Sequence, residues 1–334
     1  MPLPVTKGEL NRLGERLIAS GSVSEADLDE LAAVLAVYQD VLERVKAELR
    51  DLGFSPGWRV KTTKTMTEKL RRTRGMELSR MQDLAGARIV GHDLAAQDVA
   101  KDKISEFYAA KGCAVRVVDR REDPRFGYKA VHLIVSIDGI PVEIQVRTEL
   151  QDTWAQIVER LADRWGRGIR YGEDPESPES LVKSGELTLT RRRAIEVLMR
   201  LSDSISALER ARAMLEERQR SLDSVRKATK TAMEVLRSPA AQQTLAGKIP
   251  AEMVPVQERI AGVLAESSDR LDPADRPLLE AGADMTGAQA VRMIEVYDSV
   301  LSQMISEGAV EVRNSEQALR VILQLVADAT DEEA

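Results

Sequence analysis

A pair of alternating segments joined by Asp138-Gly139 constrains this chain more than any other feature. Residues 130–137 (AVHLIVSI) and 140–147 (IPVEIQVR) each read as a strand, and Asp-Gly between them is a compact hairpin signal. Within Pro141–Thr148 the alternation places Val142, Ile144 and Val146 on one face and Glu143, Gln145 and Arg147 on the other. Further short strands are predicted near 57–62, 86–91 and 114–119, interleaved with helices near 65–74, 94–110 and 149–165. A mixed or antiparallel sheet in an α/β domain accounts for that order.

Helical patterns near 7–19 and 24–51 precede this region, with Ser22 or Ser24 suited to cap the second. A polar stretch from Gly166 to Gly185 interrupts regular structure, and the chain beyond it reads as almost entirely helical. Leu201, Leu208, Leu215 and Leu222 recur every seven residues, while the second heptad position turns polar at Arg212 and Gln219. That seam suits a helical hairpin or short coiled coil. Further helices are predicted near 287–306 and 315–329. The expected organisation is N-terminal helices over 1–55, an α+β domain over 56–170, a linker over 171–186 and a helical region over 187–330.

Composition narrows the chemistry. Only two histidines, His92 and His132, and one cysteine, Cys113, occur in 334 residues. A zinc site needs three or four such ligands, and one cysteine excludes an internal disulfide framework. Carboxylates remain, and they suit magnesium. No apolar run approaches the roughly 20 residues of a membrane span, and the N-terminus shows no signal peptide. A cytoplasmic location and no membrane partner are expected. The net charge of −7 argues against a uniformly basic surface, so any attraction for phosphates is local.

Residues 55–80 supply such a locality, with eight Lys or Arg against two Glu. Arg59 and Lys61 alternate on an extended piece and project to one side. Thr65, Lys69 and Arg72 come next on one helical face, at i, i+4 and i+7. Cations converging from a strand and a helix suit a polyphosphate. Asp83 sits in a turn before Ala85–Ile89, where Arg88 points away from Ala87 and Ile89. If that strand shares a sheet with Pro141–Thr148, Asp83 and Glu143 can hold a magnesium ion between them. Tyr128 stands at a strand entrance after Gly127 and beside Phe126, and His132 lies four residues on.

Taken in order, R-x-K at Arg59, T-M-T-E-K-L-x-R at Thr65, D-L-A-G-A-R-I at Asp83, G-Y-K-A-V-H at Gly127 and E-I-Q-V-R-T at Glu143 with D-T-W-A after it resemble the synthetase domain of RelA/SpoT-type alarmone synthetases. The likeness covers roughly residues 40–170. It implies a nucleotidyltransferase-like fold and transfer of the β,γ-pyrophosphate of ATP to a ribose 3′-hydroxyl with magnesium, releasing AMP. Carried over residue by residue, Arg59 and Arg88 sandwich the adenine, and Lys61, Thr65, Lys69 and Arg72 hold the donor phosphates. Asp83 and Glu143 bind Mg2+, with Glu143 also the base. Tyr128 stacks on the acceptor base, and His132, Gln145 and Arg125 help hold the acceptor.

Departures cluster on the acceptor side. Ala130 stands where guanosine-specific members carry Ser, and Trp154-Ala155 leads to Val158 and Glu159 where they carry Glu and His. That pattern resembles the toxic small alarmone synthetases, several of which modify the 3′ end of tRNA. The expected acceptor is therefore the tRNA terminal adenosine or GDP/GTP. The alternative is an inactive nucleotide-sensing or partner-binding module. His92-Asp93 spells part of the family's hydrolase metal set, but no upstream histidine completes it, so synthesis without hydrolysis is expected. The helical second half suits a neutralising antitoxin protein, a homo-oligomer or a gate.

Overall fold

The computed structural model describes residues 3–19, 23–73, 75–184, 187–236, 249, 254–282 and 285–331. Helices α1 (Lys7–Ile18) and α2 (Glu25–Asp51) open the chain. Ser24 caps α2, its side chain accepting from the Asp27 amide at 3.1 Å, while Ser22 and Gly185 lie outside the described residues. Then come β1 (Gly57–Val60), α3 (Thr63–Arg72), β2 (Ala85–Gly91), α4 (Leu94–Ala110), β3 (Ala114–Asp119), β4 (Val131–Ile137), β5 (Ile140–Thr148) and α5 (Glu149–Trp165). The five strands form one mixed sheet in the order β1-β2-β5-β4-β3. The β2–β5 pair is parallel and the other pairs are antiparallel; the hairpin β4–β5 turns at Asp138-Gly139, where both residues have positive φ.

The alternation decides what this sheet buries. Ala87, Ile89, Leu133, Val135, Val142, Ile144 and Val146 form one cluster with Leu10 and Leu13 of α1, Leu42 of α2 and Ile104 of α4. Each Leu, Ile or Val of this cluster contributes about 1.5–3 kcal/mol on burial. The sheet's other face carries Arg59, Arg88, His132, Glu143 and Gln145, so polar residues stand in register on a rigid floor. Gly86 faces Glu143 across the parallel pair, and a Cβ there would lie 3.2 Å from the Glu143 carbonyl oxygen. A larger residue would press on that carbonyl and require the neighbouring strand to give by a few tenths of an ångström.

Three sequence expectations are corrected. The 171–186 stretch is not an unstructured linker: a 3₁₀ turn over Arg167–Tyr171 precedes β6 (Leu181–Ser184), which pairs with β7 (Leu187–Thr190) and with β8 (Thr330–Asp331). The later region is therefore not all helical, because four-residue strands are too short for alternation to stand out beside long helices. The helices predicted over 287–306 and 315–329 are one, α8 (Gly287–Ala327). Gly308 does not break it; a Cβ there would collide with Leu215, so the glycine permits close helix packing.

The chain divides into two compact units, Met1–Ser206 with Leu319–Ala334, and Ala207–Ala318. The boundary thus falls inside α6 (Arg191–Leu236) and α8 rather than at a linker. The second unit has its own core, in which Leu222 and Val225 pack with Ile260 and Leu264 of α7 (Val254–Glu266) and with Met293, Tyr297 and Leu301. Among the described residues, no helix is long and apolar enough to cross a membrane.

Candidate active site

Register places the polar residues. Arg88 of β2 lies beside Gln145 of β5, which lies beside His132 of β4; one step along, Glu143 neighbours Gly86, and Gly86 neighbours Arg59 of β1. A cavity of about 260 Å³ is lined by Arg59, Arg88, Asp83, Glu143 and Gln145. A second, of about 230 Å³, is lined by Phe126, Tyr128, His132, Arg147, Trp154 and Arg170, and again by Asp83, Glu143 and Gln145. The two carboxylates and Gln145 therefore belong to both cavities.

Asp83 is held by two ammonium groups, Lys61 Nζ at 2.7 Å and Lys69 Nζ at 2.8 Å. Burial pushes its carboxyl up, but the charges of Lys61 and Lys69 outweigh this and hold it below the ordinary aspartate value. Burial pushes the Lys61 ammonium down, against the pull of Asp83. These cations come from β1's end and from α3, whose N-terminus Thr62 caps.

Glu143 sits in a closed ring of hydrogen bonds. His132 Nδ1 lies 2.7 Å from Glu143 Oε1, and Gln145 Nε2 donates to Glu143 Oε2 at 2.9 Å. Arg147 donates to both Gln145 Oε1 and the Tyr128 hydroxyl at 2.9 Å, and that hydroxyl lies 3.0 Å from His132 Nε2. Both ring nitrogens of His132 are thereby engaged, Nδ1 with Glu143 and Nε2 with the Tyr128 hydroxyl. Burial opposes ionisation of Glu143, yet His132 and Gln145 hold its carboxyl below the ordinary glutamate value. Glu143 is an oriented carboxylate at neutral pH. Burial raises the Tyr128 phenol, so it stays protonated.

Arg147 anchors the ring from beneath. It is 2% exposed, and its Nη1 donates to Asp152 Oδ1 at 3.0 Å, while Arg88 reaches the same oxygen at 3.2 Å. Strand alternation puts Arg147 on the polar face and gives it no role; its signal is Asp152, five residues on, at the start of α5. Thr148 begins that helix with a capping box to Gln151.

The loop before β4 is clamped from below. Lys129, 7% exposed, donates to Ser202 O at 2.9 Å and to Ser202 Oγ at 3.0 Å, and Trp154 Nε1 donates to Leu198 O at 2.6 Å. Gly127 must be glycine, with φ +77° and a Cβ there only 2.8 Å from Trp154. Tyr128 is half-buried rather than exposed, because its hydroxyl is drawn into the ring. The exposed aromatic of this loop is Phe126, 52% accessible.

Not every expected site residue meets a cavity. Thr65 bonds back to Thr62, Arg72 lies over the Tyr171 ring at 3.9 Å, and Arg125 is exposed and lines neither cavity. Three other cations near Tyr128 are engaged within the protein. Arg121 pairs with Asp119 and Asp98 at 2.6 and 2.8 Å, Arg120 with Asp123 at 2.9 Å, and Arg116 with Gln82. His92-Asp93 is local, since Asp93 caps α4 by accepting from the Ala96 amide at 2.7 Å.

A family model described as the region found in RelA / SpoT proteins matches residues 58–162, which contain both cavities' sheet residues. An uncharacterized protein of Mycobacterium tuberculosis is 34% identical over 190 residues, 55% of this chain and 68% of its own length. A Mycobacterium bovis protein, also uncharacterized, matches with the same figures. The small alarmone synthetase 1 structure from Bacillus subtilis aligns at 21% identity and TM-score 0.45, over 58% of this chain and 99% of that one. The B. subtilis small alarmone synthetase 2 structure aligns at 17% identity and TM-score 0.42, over 55% and 96%. With the matched region enclosing the motifs and the site they build, the chain belongs to the RelA/SpoT family.

Proposed function

We propose that the protein transfers the β,γ-pyrophosphate of ATP to the ribose 3′-hydroxyl of a guanosine di- or triphosphate, releasing AMP. The observation that carries this reading is the position of Glu143, an ionised carboxylate common to two adjacent cavities. One cavity offers Arg59 and Arg88 to an adenine, with Lys61 and Lys69 nearby for phosphates. The other offers Phe126 and Tyr128 to a second nucleoside. In the step itself the 3′-oxygen bonds to the β-phosphorus and the bond to the α-phosphate oxygen breaks. The hydroxyl proton passes to Glu143, and AMP leaves with the displaced oxygen.

Asp83 and Glu143 fit magnesium. Both are carboxylates held ionised, and two such ligands suit a cation that shares its shell with substrate phosphates. Bound there, magnesium would neutralise developing charge on the phosphates. Lys61 and Lys69, which neutralise Asp83, are within reach of exchanging that carboxylate for the donor phosphates. His132 fixes Glu143, and Tyr128 and Arg147 fix His132, so the base is oriented before substrate arrives.

A free nucleotide fits better than a tRNA end. A tRNA approach needs unpaired cations along its path, and here Arg116, Arg120, Arg121 and Lys129 are engaged by the protein itself. ATP labelled at the γ position, offered with GDP, GTP and bulk tRNA in parallel, tests this. Label on the guanosine nucleotide is expected; label on tRNA alone would overturn the acceptor, and no acceptor-dependent AMP would overturn the activity.

A further inference from the structure

The segment Gly166–Gly172 comes directly after α5 and lies beyond the family region at 58–162. It touches α3, the helix that carries Lys69, on one side and the acceptor-side cavity on the other. Arg167 forms an ion pair with Glu68 of α3, and the Tyr171 ring lies 3.9 Å from the Arg72 guanidinium. On the other side Arg170 lines the acceptor-side cavity, held by Glu159 O at 3.1 Å and Asp163 at 2.9 Å. Gly172, with φ +81°, packs so closely on Phe126 that a Cβ there would collide with the ring. Ile169, 1% exposed, pins the middle.

Phe126 gives this packing meaning. Its φ of +50° is a conformation that bulky side chains avoid, and it keeps that conformation while 52% exposed. Strain of this kind persists where the surroundings impose it, and it gathers at ligand sites. Phe126 borders both the acceptor-side cavity and a neighbouring one of about 510 Å³. Tyr171, 38% exposed, spends its ring on Arg72. An aromatic face over a guanidinium fixes a long, otherwise mobile side chain.

We infer that Gly166–Gly172 is a strap that positions the two half-sites, Arg167 and Tyr171 fastening α3, the helix that carries Lys69 on the donor side, and Gly172 seating Phe126 as a platform for the acceptor base. The inference rests on the pyrophosphotransferase reading. In-line transfer needs donor phosphorus and acceptor oxygen within about 3–3.5 Å before reaction. Here the donor cations and the acceptor aromatics sit on different elements, and one short segment fastens to both.

The test separates the two arms. Calorimetry with magnesium and α,β-methylene-ATP reads donor binding, and steady-state KM for GDP reads the acceptor. Tyr171→Leu is expected to weaken analogue binding roughly two- to five-fold, the size of an exposed cation–π contact, with KM for GDP unchanged. Tyr171→Phe keeps the ring and restores wild-type binding. Phe126→Ala is expected to raise KM for GDP about two- to ten-fold, the size of a stacking contact, with analogue binding unchanged. Gly172→Ala should reproduce the Phe126→Ala pattern; if it does not fold, the Tyr171 and Phe126 variants still decide. Wild-type transfer with unaltered donor affinity in Tyr171→Leu, or variants that shift both readouts alike, overturns the strap alone. Wild-type protein that neither binds the analogue nor releases AMP with GDP overturns the activity itself.

Discussion

Glu143 is oriented by His132 on one oxygen and Gln145 on the other, so in the proposed reaction it would act through placement as well as charge. Glu143→Gln keeps the shape and removes the charge. Turnover should fall by about 10²–10⁴-fold, the usual worth of a general base, with the melting temperature little changed. The same carboxylate sets a pH dependence. Its folded pKa, like that of Asp83, lies below the ordinary value, so the stabilisation is complete above the unfolded pKa near 4 and is lost as pH falls through the folded value. Stability from these two groups should therefore stay flat from pH 7 to about 5 and decline below about 4. An acid limb of stability near pH 6 would show that neither carboxylate is held as described. On the donor side, Arg59→Ala should weaken ATP binding by about 0.5–2 kcal/mol through lost stacking, read by calorimetry. Arg88→Ala should cost more, because it also removes a partner from Asp152.

At the scale of elements, register does what no single residue does. A slip of β5 by one residue would turn Glu143 and Gln145 into the core and Ile144 outward, away from His132 on β4. Ile144→Ala should destabilise the first unit by about 2–5 kcal/mol, measured by denaturant unfolding. The sheet and the residues on its polar face were legible because they obey short-range rules. Alternation in Pro141–Thr148, the Asp138-Gly139 turn and the cation spacing from Arg59 to Lys69 each leave a local trace. The misreadings share a different cause. Tyr128 is half-buried because the buried Arg147, nineteen residues away, claims its hydroxyl. Arg116, Arg121 and Lys129 lie near Tyr128 along the chain, and Gln82, Asp98, Asp119 and Ser202 engage them in space. Gly172 falls in the stretch that reads as a break, whereas it marks a close approach to the distant Phe126 side chain. Long-range partners do not show in spacing.

At the scale of the molecule, two units carry separate cores, and the site lies wholly in the first. Leu264→Ala, which opens a cavity in the second core, should cost about 2–5 kcal/mol. Hydrogen exchange should localise that loss to residues 207–318, leaving protection in β4 and β5 as in the wild type. Equal loss of protection in both would mean that the units unfold as one. The proposed reaction concerns the first unit alone: one carboxylate serving two nucleotides, with a pyrophosphoryl group moved between them. Product identity and stoichiometry by ³¹P NMR, with magnesium, ATP and GDP, test it. The expected products are AMP and a guanosine nucleotide bearing a 3′-diphosphate in equal amounts, both abolished in Glu143→Gln. ADP and inorganic phosphate as the products, or transfer undiminished in Glu143→Gln, would contradict it.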